Sequence, residues 1–269
     1  MKQKFVAAAV QMVSGCGLEA NLARANQLLA EAAARGASLA VLPEYFCLMG
    51  AKETDKVAMR EPFGSGPIQQ ALSEMARRHG LWLLGGTVPL VCEDEGRVLN
   101  TSLLYNPQGE VAARYDKIHL FGFTGQGESY CESNTIRPGA TPTKAETPLA
   151  DIAFGICYDL RFPELFRMLA PFDLLILPAA FTATTGEAHW EPLLRARAIE
   201  NQCYLIASAQ GGTHENGRRT HGHSMIIDPW GCILAELPDG EGVVTAEIDP
   251  ELIHSVRGRL PALAHRAIR

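Results

Sequence analysis

Cys157 is the residue of this chain whose position best suits nucleophilic chemistry. It follows the apolar run 151–156, which reads as a buried strand, and precedes an Asp-then-Pro segment typical of a helix start. A thiol on such a turn lies near backbone N–H groups that no helix carbonyl accepts, which can lower a cysteine pKa and stabilise an oxyanion. A free cysteine is nevertheless more often a small core residue. The local sequence therefore leaves both interpretations open.

Two other predicted strands end in side chains that a cysteine nucleophile requires. Glu44 follows the buried strand 38–42, at the kind of strand end where ligands of α/β sheets bind, and can act as general base and acid. Lys117 follows the second strand of a predicted hairpin, where its ammonium can donate to an oxyanion. Each has an ordinary alternative, a solvated loop carboxylate for Glu44 and a surface pair with Asp116 for Lys117. Together with the cysteine they form a stronger pattern than any of them alone.

Three further side chains compete for supporting roles. His119 is a rival base for Cys157, although a structural histidine bonded to a backbone carbonyl is the commoner case. Glu132 and Glu128 lie in the longest loop-like segment, 122–138, and long ordered loops are often functional. Either glutamate can orient the substrate or the catalytic groups, and the residues alone do not separate them.

Strand-like and helix-like segments alternate along the chain, which predicts a mixed α/β fold with helices packed outside sheets. Helices are expected over 21–35, 68–79, 189–201 and 250–257. Strands are expected over 5–11, 38–42, 81–88, 100–105, 110–115, 152–156, 174–177, 204–208, 224–228, 232–236 and 243–248. No linker, repeat or low-complexity stretch interrupts the pattern, so residues 1–269 are expected to form one domain.

Composition narrows the class of protein. With 269 residues, 47% of them hydrophobic, the chain can bury a substantial core. A formal net charge of −6, without any Lys/Arg-rich run, argues against nucleic acid as a partner. The apolar stretches are too short for a membrane span, and the apolar start reads as a first strand rather than a signal peptide. Seven scattered cysteines predict neither a disulfide framework nor a zinc site and fit a reducing cytoplasm.

Three blocks of the sequence resemble the catalytic motifs of the nitrilase superfamily of carbon–nitrogen hydrolases. They are Leu42–Phe46 (Leu-Pro-Glu-Tyr-Phe), Tyr115–Phe121 (Tyr-Asp-Lys-Ile-His-Leu-Phe) and Gly155–Glu164 (Gly-Ile-Cys-Tyr-Asp-Leu-Arg-Phe-Pro-Glu). Segments 186–191, 195–203 and 222–231 extend the resemblance over nearly the whole chain.

This resemblance implies a fold and a set of roles. The fold is a four-layer α-β-β-α sandwich that commonly dimerises through its helical face, with Phe162–Met168 as the candidate contact, and it needs no metal or organic cofactor. The implied roles are general base for Glu44, stabiliser of the tetrahedral intermediate for Lys117, nucleophile for Cys157, additional active-site glutamate for Glu132 and backbone oxyanion donor for Tyr158. Glu132 fits better than Glu128 because it lies in a family-like Cys-Glu-Ser-Asn run.

The nucleophile block also implies a substrate class. True nitrilases usually carry Cys-Trp-Glu, whereas this chain has Cys-Tyr-Asp, which resembles the amidase branch acting on α-keto amides. Segments 125–127, 131–134 and 199–203 look closer to deaminated glutathione amidases, which release α-ketoglutarate and cysteinylglycine in metabolite repair. An omega-amidase acting on α-ketoglutaramate is the alternative, followed by carbamoyl-amine and aliphatic amide hydrolases. The intact catalytic set argues against a non-catalytic scaffold.

A substrate of this class is a small anion, so its pocket requires a cation. Arg161, four residues after the nucleophile, is the candidate, and a salt bridge to Glu164 is the alternative. Candidate hydroxyl donors lie in the loop expected after strand 174–177, where helix capping or a turn is the alternative role: Thr182, Thr184 and Thr185.

Overall fold

The computed structural model describes residues 3–125 and 128–268, and its regular elements are those of a mixed α/β protein. The helices in the described residues are α1 (Leu18–Ala34), α2 (Asp55–Ala58), α3 (Pro67–His79), α4 (Pro163–Leu169), α5 (Ala183–Asn201) and α6 (Pro250–Arg259), with 3₁₀ helices at Glu132–Asn134 and Cys157–Arg161. The strands are β1 (Phe5–Gln11), β2 (Ala37–Val41), β3 (Trp82–Leu84), β4 (Val88–Val91), β5 (Val98–Tyr105), β6 (Val111–Asp116), β7 (Gly122–Gly125), β8 (Glu128–Cys131), β9 (Lys144–Glu146), β10 (Asp151–Phe154), β11 (Leu174–Ala179), β12 (Tyr204–Ala209), β13 (Gly211–Thr213), β14 (Arg219–His221), β15 (Ser224–Ile227), β16 (Ile233–Leu237) and β17 (Gly242–Ile248).

Most strands belong to two mixed sheets. The first has the order β17-β1-β2-β3-β5-β4, with β6 beside β5, and the second has the order β16-β15-β12-β11-β10-β9. Strands β1, β2 and β3 run parallel in the first sheet, as do β10, β11 and β12 in the second. Because parallel strands end at the same edge of a sheet, the loops that follow them collect there.

The two sheets face each other and carry helices on their outer sides. Strand β1 shows why, because its alternating residues serve two cores. Ala7 and Ala9 pack with strands of the second sheet, whereas Ala8 and Val10 pack with residues of α1 and α3. On the other side, Trp190 and further apolar residues of α5 pack against the second sheet. These four layers confirm the predicted α-β-β-α sandwich.

The structure contains every expected element, with differences at three places, and it adds the short elements α2, β9, β13 and β14, which were not expected. The predicted strand 81–88 is divided into β3 and β4, because Gly85 and Gly86 break it. The predicted loop 122–138 contains the β7–β8 hairpin and a 3₁₀ helix. Helix α5 begins at Ala183 rather than at 189, so the sequence misplaced its start. Gly186 weakens the helical pattern over the missed residues. Among the residues described, none of the helices combines the length and apolar character that a membrane crossing requires.

Candidate active site

Glu44 is held at the end of β2 by a close approach of two backbone segments. Gly86 has φ of 55°, and a Cβ atom at this position would lie 2.2 Å from the carbonyl oxygen of Pro43. Only glycine accommodates both constraints. The next residue, Thr87, accepts the backbone N–H of Tyr45 at 3.0 Å. The loop that carries Glu44 is therefore fixed from the β3 side of the sheet.

The carboxylate of Glu44 is buried and hydrogen-bonded at both oxygens. Its Oε1 accepts from Nδ2 of Asn100 at 2.9 Å and from Nζ of Lys117 at 2.8 Å. Its Oε2 accepts the backbone N–H of Ala180, at the end of β11, at 3.0 Å. The same N–H also acts to lower the pKa of the Cys157 thiol, so Glu44 and Cys157 lie on the same backbone donor.

Lys117 lies between two carboxylates in the protein interior. Its Nζ is 2.8 Å from Glu44 Oε1 and 2.8 Å from Glu132 Oε2, and its side chain is 0% exposed. Burial alone lowers a lysine pKa, but the charges of Glu132 and Glu44 outweigh burial and raise the pKa of Lys117 above its ordinary value. The ammonium is therefore a fixed positive charge, as an oxyanion stabiliser requires.

Glu132 is the glutamate that the structure places beside Lys117. Its carboxylate also accepts from Tyr45 Oη at 2.9 Å and from the backbone N–H of Phe121 at 2.7 Å. Burial raises the pKa of Glu132, but the charge and hydrogen bond of Lys117 act more strongly together with these donors, so the net pKa is lowered. Glu128 belongs to β8, and its side chain lies outside the description.

Cys157 occupies a strained turn between β10 and α4. Its φ of 49° is a left-handed conformation that non-glycine residues adopt at a cost, and such strain clusters at functional sites. Asp159 holds this turn from inside the protein, because its Oδ2 accepts the backbone N–H of Ile156 at 2.9 Å and the hydroxyl of Tyr115 at 2.8 Å. The N–H of Tyr158 lies in the first turn of the 3₁₀ helix, where intrahelical acceptors are lacking.

His119 has a partner other than the one expected from the sequence. Its Nδ1 is 2.7 Å from Oδ1 of Asp159, and its ring stacks on Phe162 with centroids 3.7 Å apart. It is not among the residues that line the cleft at Cys157. The structure therefore places His119 behind the nucleophile turn rather than beside the thiol.

The environment of the thiol acts against a low pKa. Burial raises the pKa of Cys157 well above its ordinary value, and the neighbouring charge of Glu44 raises it further, while Lys117 opposes both. The lowered cysteine pKa that the turn alone allowed is therefore not found. A thiol of this kind needs a base to become a nucleophile, and Glu44 is the adjacent candidate.

The predicted substrate-binding residues divide into two groups. The cleft at Cys157 is lined by Tyr158, Arg161, Thr182 and Thr185, but not by Thr184. The sequence had placed the threonines in a loop, with helix capping as the alternative role. Thr182 takes that role in helix α5, its hydroxyl accepting the N–H of Thr185 at 3.3 Å, and Thr184 lies in the first turn of the helix.

Arg161 lacks the carboxylate partner considered as its alternative role. Within residues 3–125 and 128–268, no ion pair joins it to Glu164 or to another acid. Its Nη1 is 3.2 Å from Nδ1 of His189, and its guanidinium carbon lies 5.3 Å from the ring centroid of Phe181. The cation is thus held against the cleft by a histidine and aromatic rings.

Three residues at the site were given no role from the sequence. Asn100 lies within β5, Tyr45 follows Glu44, and Arg218 lies between β13 and β14. Arg218 lines the cleft, and the Arg-Arg pair at 218–219 before a predicted strand was its only available sign. The other two are identified by their hydrogen bonds to Glu44 and Glu132, which depend on long-range packing.

An α-β-β-α sandwich with a carboxylate, a lysine and a cysteine converging at strand ends is the arrangement of a carbon–nitrogen hydrolase. The chain belongs to the Carbon-nitrogen hydrolase family, whose profile matches residues 6–258. It is 43% identical over 268 residues to a deaminated glutathione amidase of Synechocystis sp., covering 97% of this chain and 98% of that protein. It is 37% identical over 267 residues to omega-amidase NIT2 of Xenopus tropicalis, covering 98% and 95%.

Solved structures agree with this membership. Nit3 of Saccharomyces cerevisiae, a member of branch 10 of the nitrilase superfamily, matches with a TM-score of 0.89 and 32% identity, covering 99% of this chain and 97% of that one. The family expected from the three motifs is confirmed, and so is the amidase class. Segment 125–127 was one of those that resemble deaminated glutathione amidases, and two of its residues, Gln126 and Gly127, lie outside the described residues.

Proposed function

We propose that this protein hydrolyses the amide bond of deaminated glutathione to α-ketoglutarate and cysteinylglycine. The observation that carries the proposal is the buried Glu44–Lys117–Glu132 group beside Cys157, in a cleft that also presents the unpaired cation of Arg161. The relatives named deaminated glutathione amidase support the choice of substrate.

The proposed reaction begins with proton transfer. Glu44 takes the thiol proton, and the sulfur of Cys157 attacks the amide carbonyl carbon. The negative charge that develops on the carbonyl oxygen is stabilised by Nζ of Lys117 and the N–H of Tyr158. Glu44 then protonates the amide nitrogen as the C–N bond breaks, which releases the amine and leaves a thioester.

Hydrolysis of the thioester uses the same base. Glu44 removes a proton from water, the hydroxide attacks the thioester carbonyl, and the C–S bond breaks to release the acid. The proton held by Glu44 returns to the sulfur and restores the thiol. Glu132 keeps Lys117 in position through both half-reactions, because it binds Nζ with both of its oxygens.

Arg161 is proposed to bind the carboxylate on the acyl side of the substrate. Its guanidinium lines the cleft without a carboxylate of its own, and Thr182 and Thr185 add hydroxyls to the same wall. A bidentate pair with an α-keto acid would satisfy this charge. An omega-amidase acting on α-ketoglutaramate would use the same contact, and the resemblance to omega-amidase NIT2 keeps this candidate open.

The test compares three substrates side by side: deaminated glutathione, α-ketoglutaramate and an N-carbamoyl amine. We expect the highest kcat/KM on deaminated glutathione. Arg161→Met should raise KM for both keto acids by about 10- to 100-fold, the effect of losing a charged hydrogen bond. Glu187→Gln, which alters an exposed residue of the same helix as the threonines, is the control and should change neither constant.

A kcat/KM that favours α-ketoglutaramate by orders of magnitude would contradict the substrate proposal and leave the chemistry intact. If Arg161→Met leaves KM unchanged for both keto acids, Arg161 is not the acyl-side anion site.

We also propose that the protein acts as a homodimer in the cytoplasm. Helix α4 occupies most of the expected contact 162–168, and its Met168 is 73% exposed. Together with Ile268, which is 87% exposed, it leaves apolar surface beside α4 that a second copy would cover. Free, scattered cysteines among the described residues are compatible with a reducing compartment.

Met168→Glu is expected to convert the dimer to a monomer, because it places a charge within the proposed contact. Light scattering after size-exclusion chromatography measures the mass. Leu234→Glu is a matched control, since Leu234 is 44% exposed on β16 at the edge of the second sheet. A variant at 168 that keeps the wild-type mass would contradict the contact.

A further inference from the structure

Arg218 is a second cation at the cleft, and its hydrogen-bonding capacity is largely unused. Its Nη2 donates to the carbonyl oxygen of Ala180 at 3.2 Å, and its guanidinium carbon lies 5.1 Å from the ring centroid of Tyr130. Its Nε is buried without a hydrogen-bond partner. In the described part of the chain no carboxylate forms an ion pair with Arg218. The two acids that line the catalytic cleft, Glu44 and Glu132, both pair with Lys117. Leaving the buried Nε without an acceptor is costly, and a ligand anion at the cleft would complete the hydrogen bonding of this guanidinium.

The position of Arg218 links the catalytic cleft to a second cleft. The second cleft is lined by Tyr45, Met49, Lys52, Lys56 and Asn216 among others. Arg218 is the one described residue that lines both. Two cations of the second cleft, Lys52 and Arg218, remain after its one described lining acid, Glu53, has paired with Lys56. A ligand that extends from Cys157 into this space would pass the guanidinium.

The two arginines are held on different walls of the site. Arg161 contacts Tyr158 and Phe181, beside the start of α5, whereas Arg218 contacts Tyr130 and faces the second cleft. Deaminated glutathione has a carboxylate on each side of its scissile amide, one on the keto acid and one at the end of the leaving dipeptide. α-Ketoglutaramate has only the first, since its leaving group is ammonia. Two separate cations therefore match the longer substrate.

We propose that Arg218 binds the carboxylate of the leaving group, and that the second cleft is the subsite for an acidic dipeptide amine. This inference rests on the proposed function. It adds a specificity-determining residue and makes the leaving group, rather than the acyl part, the feature that separates the two amidase substrates.

The experiment measures binding in a Cys157→Ala background, so that affinity is separated from turnover. Calorimetry gives Kd for deaminated glutathione and for the same compound with its terminal carboxylate converted to an amide. With Arg218 present, the acid should bind about 10- to 100-fold more tightly than the amide, the effect of one charged hydrogen-bonded contact. In Arg218→Met the two Kd values should become nearly equal.

Arg219→Met is the matched control, because Arg219 is exposed on β14 and lines neither cleft. It should preserve the discrimination between acid and amide. Arg218→Lys, which keeps the charge, should restore part of it and thereby exclude misfolding as the cause. Equal affinity for acid and amide in the Arg218 protein, an unchanged ratio in Arg218→Met, or no binding of either compound would overturn the subsite.

Turnover by the protein with Cys157 intact tests the proposed function separately. Discrimination by Arg218 without hydrolysis of deaminated glutathione would support the subsite and overturn the substrate assignment. Hydrolysis of deaminated glutathione and of its terminal amide with equal kcat/KM would overturn the subsite and leave the substrate assignment in place.

Discussion

Cys157→Ala is expected to lower kcat for amide hydrolysis by at least about 10,000-fold, the scale on which loss of a catalytic nucleophile acts. Alanine removes the sulfur that forms the thioester, while Glu44, Lys117 and Glu132 keep their mutual contacts, since none of them depends on the thiol. The remaining residues can still bind substrate and polarise the carbonyl, but no covalent intermediate can form.

Initial rates on deaminated glutathione measure the loss, and intact-mass analysis of the wild-type protein during turnover detects the acyl group on sulfur. Cys203→Ala is the matched control, because Cys203 is also buried, packs in the core and does not line the cleft. It should retain activity despite some loss of stability. Unchanged hydrolysis by the variant at 157 would show that this residue is not the nucleophile.

The convergence of Cys157, Glu44 and Lys117 could be predicted because each follows a strand. Strand ends are readable from apolar periodicity, and the ends of parallel strands collect at one edge of a sheet. The motifs added the roles and the sandwich fold. The resemblance also separated Glu132 from Glu128, which the residues alone did not.

Contacts between distant segments could not be predicted in the same way. Asn100 reaches Glu44 from 56 positions away, and Arg218 meets the cleft from a connection between two three-residue strands. No local sequence pattern indicates such packing.

The direction of the Cys157 pKa shift could not be predicted from the sequence either, because it depends on how completely the thiol is buried next to Glu44. The prediction that Thr184 binds substrate failed for a related reason. The sequence did not reveal that helix α5 begins at Ala183, and Thr184, in the first turn of that helix, does not line the cleft.

Lys117→Met is expected to reduce both catalysis and stability. The substitution keeps an unbranched side chain one atom shorter but removes the charge that the oxyanion requires, so kcat should fall by about 100- to 1,000-fold or more. It also leaves Glu44 and Glu132 buried without their shared cation. Removing one partner of a buried ion pair typically costs about 3–5 kcal/mol of the free energy of unfolding.

The dependence of stability on pH distinguishes this electrostatic effect from simple loss of packing. In the wild type the pKa of Glu132 is lowered by folding, so its contribution is present above the unfolded-state pKa and is lost as pH falls through the folded-state pKa. Without Lys117, burial and the charge of Glu44 should instead raise the pKa of Glu132. The folded variant then binds a proton more readily than the unfolded chain, so acidification should stabilise it.

Urea unfolding of the wild type and of Lys117→Met between about pH 8 and pH 5 measures this difference, since buried glutamates can titrate in that range. The stability gap should narrow as pH falls. Lys144→Met, at an exposed lysine of β9, is the control and should follow the wild type throughout. A gap that stays constant over the range would mean that Lys117 acts by filling space rather than by holding two carboxylates charged.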